Sequence, residues 1–188
     1  MKALSKIALV ASVALSSFGA IAGEISNSTV SGSFANNQAT ASNATALQHI
    51  GVTFGNGKIT NSYIDATGAG NYATGTNSLA HQDIGRALPG GTLDNVWVFG
   101  GGATNWSSGS SSVANQQIGS VENGLMKDTT VDARYAFNVA SGTSAVATQE
   151  IGKVTNGVIK NSYISGYGAV NSASGANSTA EQKIGVVN

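Results

Sequence analysis

The stretch Ser178-Thr179-Ala180-Glu181-Gln182-Lys183-Ile184-Gly185 decides the fold of this chain, because its pattern of Ala, Gln and Ile-Gly occurs five times. The Ile-Gly pairs begin at residues 50, 84, 118, 151 and 184, so they are 34, 34, 33 and 33 residues apart. A fixed period of this length is the signature of a repeat architecture. Residues 23–188 therefore form one repeat domain, with copies at 23–51, 52–85, 86–119, 120–152 and 153–185.

Constant and variable positions alternate within each copy. In the quoted stretch the constant residues occupy every second position, and the residues between them differ from copy to copy. A period of two with one fixed face is typical of a half-buried β-strand. An Asn-x-Ala element predicts a second short strand, and a glycine such as Gly75 marks the turn between the two. The constant columns are glutamine (Gln48, Gln82, Gln116, Gln149, Gln182), isoleucine (Ile50, Ile84, Ile118, Ile151, Ile184) and asparagine (Asn37, Asn71, Asn105, Asn138, Asn171).

The copies are predicted to stack as the rungs of an all-β, parallel and in-register β-solenoid, with about three short strands in each rung. Each constant column then becomes a ladder of identical side chains at the ~4.8 Å spacing of a cross-β stack. Stacked amides donate to one neighbour and accept from the other. An inward-facing amide column is therefore tolerated where an isolated buried amide would be costly.

The front of each copy carries two further apolar columns with an unusual spacing. In the last copy Ile159 and Ile164 are an odd number of residues apart, so one straight strand cannot place both on the same face. A bulge or a bend near Asn161 would bring the two side chains together. A bulge and a bend are both consistent with this spacing.

Composition narrows the classes of function. Charged residues make up 10% of the chain, with nine basic against nine acidic, and no basic patch with interleaved aromatics indicates a nucleic-acid partner. The chain contains no cysteine, so no disulfide framework supports the fold. Its low charge, single proline and many small polar residues are compatible with close stacking of backbones.

The first 22 residues are predicted to be a Sec-type secretory signal peptide. Lys2 and Lys6 form the basic region, residues 7–18 the apolar stretch, and Ala20-Ile21-Ala22 an A-x-A-like cleavage site. The apolar stretch is too short for a comfortable membrane span. We therefore expect a secreted protein, extracellular or at the cell surface, with no membrane insertion after cleavage.

The Asn-x-Ala-x-Gly element carries a resemblance. It occurs as Asn71-Tyr72-Ala73-Thr74-Gly75, Asn138-Val139-Ala140-Ser141-Gly142 and Asn171-Ser172-Ala173-Ser174-Gly175, each followed by the constant Gln. With a repeat length in the mid-thirties, residues 23–188 resemble the repeats of Fap functional amyloids. Curlin subunits are a looser match, through Gly68-Ala69-Gly70-Asn71-Tyr72-Ala73. The resemblance implies a biofilm fibre subunit exported by a dedicated outer-membrane pore, with a chaperone and a nucleator or co-subunit.

Both ends of the repeat domain are predicted to be open strand edges. Gly23 is equivalent to the internal Gly157, and Val186-Val187-Asn188 looks like the opening of a further copy. Open edges template further pairing unless they are blocked. We therefore expect head-to-tail self-assembly into a homopolymer, as a major subunit or as a nucleator.

Side chains that could catalyse a reaction show no recognisable active-site pattern in the sequence. His49 and His81 lie in neighbouring copies but in columns two positions apart, so variable solvent-facing positions explain them better than metal ligation does. The carboxylates fall mostly in variable columns, without the fixed pair that general acid–base chemistry needs. We expect no enzymatic activity, no cofactor and no catalytic or metal site.

An aromatic column supports the alternative function, a monomeric β-solenoid adhesin or carbohydrate-binding module. Tyr63, Trp97 and Tyr163 share this column, which Thr29 and Thr130 interrupt. The three rings could form an exposed stripe that binds sugars or surfaces. Packing between the rungs of a fibre is the interpretation that the sequence favours.

Overall fold

The computed structural model describes the backbone of residues 18–21 and 23–188, and the side chains from residue 23 onward. Residues 1–17 and residue 22 lie outside the described part, and with them most of the predicted signal peptide, which stays a prediction. The described chain consists of strands joined by turns and bends. Within it, no helix has the length and apolar character that crossing a membrane requires.

The described residues form 23 strands. In chain order they are β1 (Phe18–Ile21), β2 (Glu24–Ser26), β3 (Thr29–Ser31), β4 (Asn36–Thr40), β5 (Thr45–Phe54), β6 (Lys58–Thr60), β7 (Tyr63–Asp65), β8 (Gly70–Thr74), β9 (Leu79–Ala87), β10 (Thr92–Asp94), β11 (Trp97–Phe99), β12 (Thr104–Ser108), β13 (Val113–Ile118), β14 (Val121–Glu122), β15 (Leu125–Lys127), β16 (Thr130–Asp132), β17 (Phe137–Ser141), β18 (Val146–Ile151), β19 (Val154–Thr155), β20 (Val158–Lys160), β21 (Tyr163–Ser165), β22 (Val170–Ser174) and β23 (Thr179–Ile184).

Four parallel sheets run along the axis of the molecule, and each rung contributes a strand to each sheet. Sheet I has the order β2-β6-β10-β15-β20, sheet II β3-β7-β11-β16-β21, sheet III β4-β8-β12-β17-β22 and sheet IV β1-β5-β9-β13-β18-β23. The short strands β14 and β19 extend sheet IV, and β1 pairs with the C-terminal half of β5. The predicted all-β solenoid of five stacked rungs is confirmed.

The stacking keeps its register from rung to rung. In sheet IV Gln116 is aligned with Gln82 on one side and with Gln149 on the other. In sheet III Asn105 is aligned in the same way with Asn71 and Asn138. The fourth and fifth repeats are one residue shorter than the second and third, and this difference does not displace the glutamine or asparagine columns.

Each rung has four main strands, where the sequence predicted about three. The front element is divided into two strands, such as β6 and β7, by Asn61, whose backbone is left-handed with φ 47°. Asparagine enters this region more readily than most residues because its short side chain bonds locally. The corner turns both Ile59 and Ile64 into the core, where each is 0% exposed. The spacing was consistent with a bulge or a bend, and the structure has the bend.

The core is a narrow apolar column enclosed by the sheets. Its largest side chains come from the Ile-Gly column and from the two front columns: Ile50, Ile59, Ile64, Ile84, Leu93, Ile118, Met126 and Ile151. A separate layer of alanines lies between sheets III and IV, for example Ala140 against Ala147. Because only a few large aliphatic side chains of each rung fill this core, each rung is covered mainly by the rungs on either side of it.

A glycine column sets how closely the rungs can approach. A Cβ atom at Gly75 would overlap the carbonyl oxygen of Ala41, and one at Gly109 would overlap that of Gly75. Gly142 stands over Gly109 in the same way. The corresponding residue of the first rung is Ala41. Glycine is therefore present wherever another repeat lies beneath this turn.

Candidate functional site

The five glutamines form one continuous amide ladder inside the solenoid. The side-chain Nε2 of Gln82 donates to Oε1 of Gln48 at 2.6 Å, and the step from Gln116 to Gln82 is 2.7 Å. Nε2 also donates within its own rung, as from Gln116 to the carbonyl of Ala103 at 3.2 Å. Both hydrogens of each buried amide are therefore used, which is what a buried amide requires. Gln149 and Gln182 continue the series.

The five asparagines form a second ladder that runs in the opposite direction. Nδ2 of Asn71 donates forward to Oδ1 of Asn105 at 2.8 Å, and Asn105 donates to Asn138 at 2.8 Å. A second bond from Asn71 goes to the carbonyl of His81 at 3.0 Å and joins sheet III to sheet IV. Asn37 begins the ladder and Asn171 ends it. Glutamines thus donate toward the N-terminal rung, and asparagines toward the C-terminal rung.

The opposed directions leave complementary groups on the two end rungs. On the fifth rung Oε1 of Gln182 receives no donor from the described residues, and Nδ2 of Asn171 donates to the carbonyls of Ala147 and Glu181 without a following asparagine to accept from it. On the first rung Oδ1 of Asn37 receives none from the same part of the chain. Nε2 of Gln48 donates to the carbonyls of Ala35 and Gly70, so the bond to Gly70 replaces the one that internal glutamines make to a preceding glutamine. One end thus presents a glutamine oxygen and the other a glutamine NH2 group, and the asparagines are reversed.

Burial separates the fifth rung from the rungs inside the stack. Ile118 is 0% exposed, whereas Ile184, in the same column, is 41% exposed. Gln116 is fully buried and Gln182 is exposed. In sheet IV β23 is hydrogen-bonded on one side only. The fifth rung therefore presents the same surface that each internal rung buries under its successor.

The predicted aromatic stripe lies on the outer face of sheet II. Tyr63 is 38% exposed, Trp97 55% and Tyr163 64%. The rings of Tyr63 and Trp97 meet edge to face, with centroids 6.0 Å apart and planes at 73°. Thr130 is aligned between Trp97 and Tyr163 and interrupts the stripe. The rings therefore form no flat platform.

An open groove runs beside the first part of this stripe. It has a volume of about 510 Å³, and Tyr63, Trp97, Asn61, Asn95 and Asp128 are among the residues that line it. Nδ2 of Asn95 donates to Oδ1 of Asn61 at 2.9 Å, so the corner asparagines also stack. Aromatic faces beside amides and a carboxylate are the side chains that a sugar ligand would contact.

Phe34 and Tyr135 are among the exposed aromatic residues that were not predicted from the sequence. Phe34 and Tyr135 have left-handed backbones, with φ 56° and 55°, in a column that holds Gly68 and Gly102 in the rungs between them. Bulky residues are uncommon in this region. Phe34 lies against the position where a Cβ of Gly68 would be, so it covers the glycine of the next rung. The sequence signal that could have identified these two residues is a bulky side chain at a position that is glycine in the other repeats.

Both histidines of the chain meet at one buried carboxylate, whereas the sequence analysis placed them in columns two positions apart and favoured solvent-facing positions over metal ligation. His49 Nδ1 and His81 Nε2 each lie 3.1 Å from Oδ2 of Asp83, and Arg86 donates to both oxygens of that carboxylate. Burial acts to raise the pKa of Asp83. The hydrogen bonds from the two histidines, with the charges of His81 and Arg86, outweigh it and hold the pKa well below its usual value.

Comparison with known proteins assigns no family to this architecture. The sequence matches no protein-family model, and no curated protein is significantly similar to it. The resemblance to Fap-type repeats stays a prediction. The geometry of the ladders, the end rungs and the aromatic groove is the basis on which a function can be assigned.

Proposed function

We propose that this protein is a secreted structural subunit that polymerises head to tail into an extracellular amyloid-type fibre of a biofilm matrix, with a role in adhesion. The observation that carries the proposal is the complementarity of the two end rungs. A rung of the same design, placed on the fifth rung, would bury Ile184 and give Oε1 of Gln182 its missing donor. That rung can come from a second copy of this chain.

The direction of the ladders favours head-to-tail growth over the other arrangements. The strand β1, which pairs with the C-terminal half of β5, belongs to the predicted signal peptide and would be removed by cleavage. A first rung placed on a fifth rung then brings Nε2 of Gln48 to Oε1 of Gln182, and Nδ2 of Asn171 to Oδ1 of Asn37. Two fifth rungs placed together would instead oppose two glutamine acceptors. A buried amide without its partner costs about 1–3 kcal/mol, so such a contact would be disfavoured at the glutamine and asparagine columns.

Fibre growth by the purified chain is the first test. We expect concentration-dependent fibres with a reflection at ~4.7–4.8 Å along the fibre axis, the spacing between hydrogen-bonded strands. Fibres should also shorten the lag phase when they are added as seeds. A chain that stays monomeric at high concentration would contradict the proposal.

A blocked end provides a sharper test. The double substitution Gln182→Lys with Ile184→Lys should stop growth, because it places two charges where the next rung would be buried. Both residues are exposed in the single molecule, so we expect the fold to be retained. Glu181→Lys is the matched control, since it adds the same two units of charge on the outward face of the same strand. Equal growth of the two variants would argue against stacking through the fifth rung.

Carbohydrate or surface binding is a second candidate function, favoured by the groove beside Tyr63 and Trp97. Contiguous exposed apolar surface often marks a binding surface, and the rings of Tyr63 and Trp97 are in contact. Tyr63→Ser with Trp97→Ser should weaken retention on polysaccharide without slowing seeded growth. Loss of growth with unchanged retention would assign these rings to packing between molecules instead.

Export is part of the same proposal. We infer from the predicted signal peptide and the resemblance to Fap-type repeats that an outer-membrane pore, a chaperone and a nucleator or co-subunit act on this chain. Genes for a secretion pore and a small chaperone beside this gene would support that inference. Retention of the full chain inside the producing cell would contradict it.

A further inference from the structure

We propose that His49, His81 and Asp83 bind a divalent transition-metal ion, of which Zn²⁺ is the representative, on the outer face of sheet IV. The three side chains each offer one ligand atom, and these atoms all lie within 4.8 Å of one another. Two imidazole nitrogens and one carboxylate oxygen are a ligand set that suits Zn²⁺ and neighbouring first-row metals. Fibre assembly does not require this site.

Two of the three distances between ligand atoms are close to those around a bound ion, and the two imidazole nitrogens lie within 4.8 Å of each other. Ligand atoms about 2.0–2.1 Å from a tetrahedral Zn²⁺ are about 3.3–3.4 Å apart. His49 Nδ1 and His81 Nε2 are each 3.1 Å from Oδ2 of Asp83, so small side-chain rotations would admit the ion. The histidine side chains are 24% and 22% exposed, which leaves a path for entry and a fourth position for water.

The strand register explains how the three residues converge. His49 on β5 is aligned with Asp83 on β9, and His81 precedes Asp83 by two residues on the same face. Residues on neighbouring strands that are offset by two positions are still within reach of long side chains. The ligands therefore come from two rungs, and a bound ion would hold the first rung to the second.

A second buried carboxylate in the same column, Glu150, is paired with a cation but not with histidines. Glu150 is 7% exposed, and Lys153, three residues later, lies 2.6 Å from its Oε1. Asp83 has its own cation at the same offset, Arg86, at 3.1 Å. An ion pair is therefore enough to bury a carboxylate in this column, and the two histidines at Asp83 are additional.

Arg86 is the group that competes with a metal ion. It donates to Oδ1 of Asp83 at 3.3 Å and to Oδ2 at 3.1 Å, and its second terminal nitrogen lies 3.7 Å from Glu122. When an ion takes Oδ2, the guanidinium can remain on Oδ1 and move toward Glu122. Since two cations then share one carboxylate, Arg86→Gln should strengthen metal binding.

The test uses the full chain, purified without a polyhistidine tag and kept below the concentration at which it forms fibres. Zn²⁺ affinity is measured by competition with a chromophoric chelator, and the thermal midpoint is measured with and without Zn²⁺. We expect one Zn²⁺ per chain and a higher midpoint. His49→Gln and His81→Gln should each weaken binding by at least about tenfold, since losing even an outer-shell partner costs 10–100-fold.

Two further variants keep the result independent of folding defects. Glu150→Gln removes the matched carboxylate and should leave Zn²⁺ affinity unchanged, whereas Arg86→Gln should raise it. X-ray absorption of the loaded protein should show two imidazole ligands. Zn²⁺ affinity that is the same in the wild type, His49→Gln and His81→Gln would overturn the proposal, as would the absence of binding by the wild type at micromolar Zn²⁺.

Discussion

The third rung and the fifth rung carry the same constant residues in different surroundings. Gln116 bonds to a glutamine on each side and is fully buried, whereas Gln182 bonds to one glutamine of the described chain, Gln149, and is exposed. Ile118 is 0% exposed and Ile184 41%. The burial of a residue in this molecule is thus supplied by the neighbouring repeats. Its contribution to stability should therefore depend on its position in the stack more than on its identity.

The largest expected effect is the substitution of the central glutamine. Gln116→Leu leaves Oε1 of Gln82 and one hydrogen of Gln149 without partners in the interior, whereas the carbonyl of Ala103 still accepts from the backbone N–H of Phe137. At about 1–3 kcal/mol for each of the two buried groups, we expect a loss of about 2–6 kcal/mol in the free energy of unfolding. Urea denaturation of the monomer measures it.

Gln182→Leu is the matched variant at the end of the stack. It leaves one buried group, Oε1 of Gln149, without its donor, whereas water can solvate the carbonyl of Ala169. We therefore expect a smaller loss, of about 1–3 kcal/mol, in the monomer. In a fibre the same residue becomes internal, and the substitution should destabilise fibres strongly toward denaturant. Equal losses for the two variants in the monomer would mean that the end rung is already covered.

The sequence predicted the features that repeat. Columns such as Gln116 and Ile118 recur at a fixed period, so the strands, their parallel direction and their register followed from spacing alone. The stacking of the amides could be anticipated because identical side chains in register have one way to pair. The opposite directions of the two ladders could not, since they depend on which carbonyl each amide reaches within its rung.

Features that occur once were harder to predict. His49 and His81 were assigned to separate columns, which is correct for the backbone, yet their side chains span the two-residue offset and meet at Asp83. The corner at Asn61 is a backbone state of one residue, and a count of apolar positions shows only that some bend is needed. In both cases the missing information was the direction of an individual side chain or peptide.

An intermediate effect is expected at the glycine turn. Gly109→Ala places a methyl group on the carbonyl oxygen of Gly75, so the second and third rungs must separate locally. Overpacking of this kind costs about 1–3 kcal/mol. Ala41→Gly, in the same column of the first rung, should change the free energy of unfolding by less than about 1 kcal/mol. Hydrogen exchange should show faster opening near Gly109 in the first variant, and unchanged protection there would contradict the assigned contact.

The smallest effect is expected at the corner asparagines, where centre and end should behave alike. Asn95 in the third rung and Asn161 in the fifth have left-handed backbones, with φ 53° and 48°. Alanine in this region costs about 1–2 kcal/mol whatever lies above or below it. Asn95→Ala and Asn161→Ala should therefore lose similar amounts in urea denaturation, and the corresponding glycine variants should be near neutral.

Backbone strain at a corner depends on one residue, whereas stacking energy depends on the contact between two rungs. Comparing Asn95→Ala with Asn161→Ala therefore separates the two contributions. The side chain of Asn95 donates to Asn61 at 2.9 Å, but at an exposed position where water can replace the bond. A loss at Asn95 that clearly exceeds the loss at Asn161, and that glycine does not restore, would show that the exposed asparagine ladder also holds the rungs together. The contrast between centre and end would then extend to the outer surface of the solenoid.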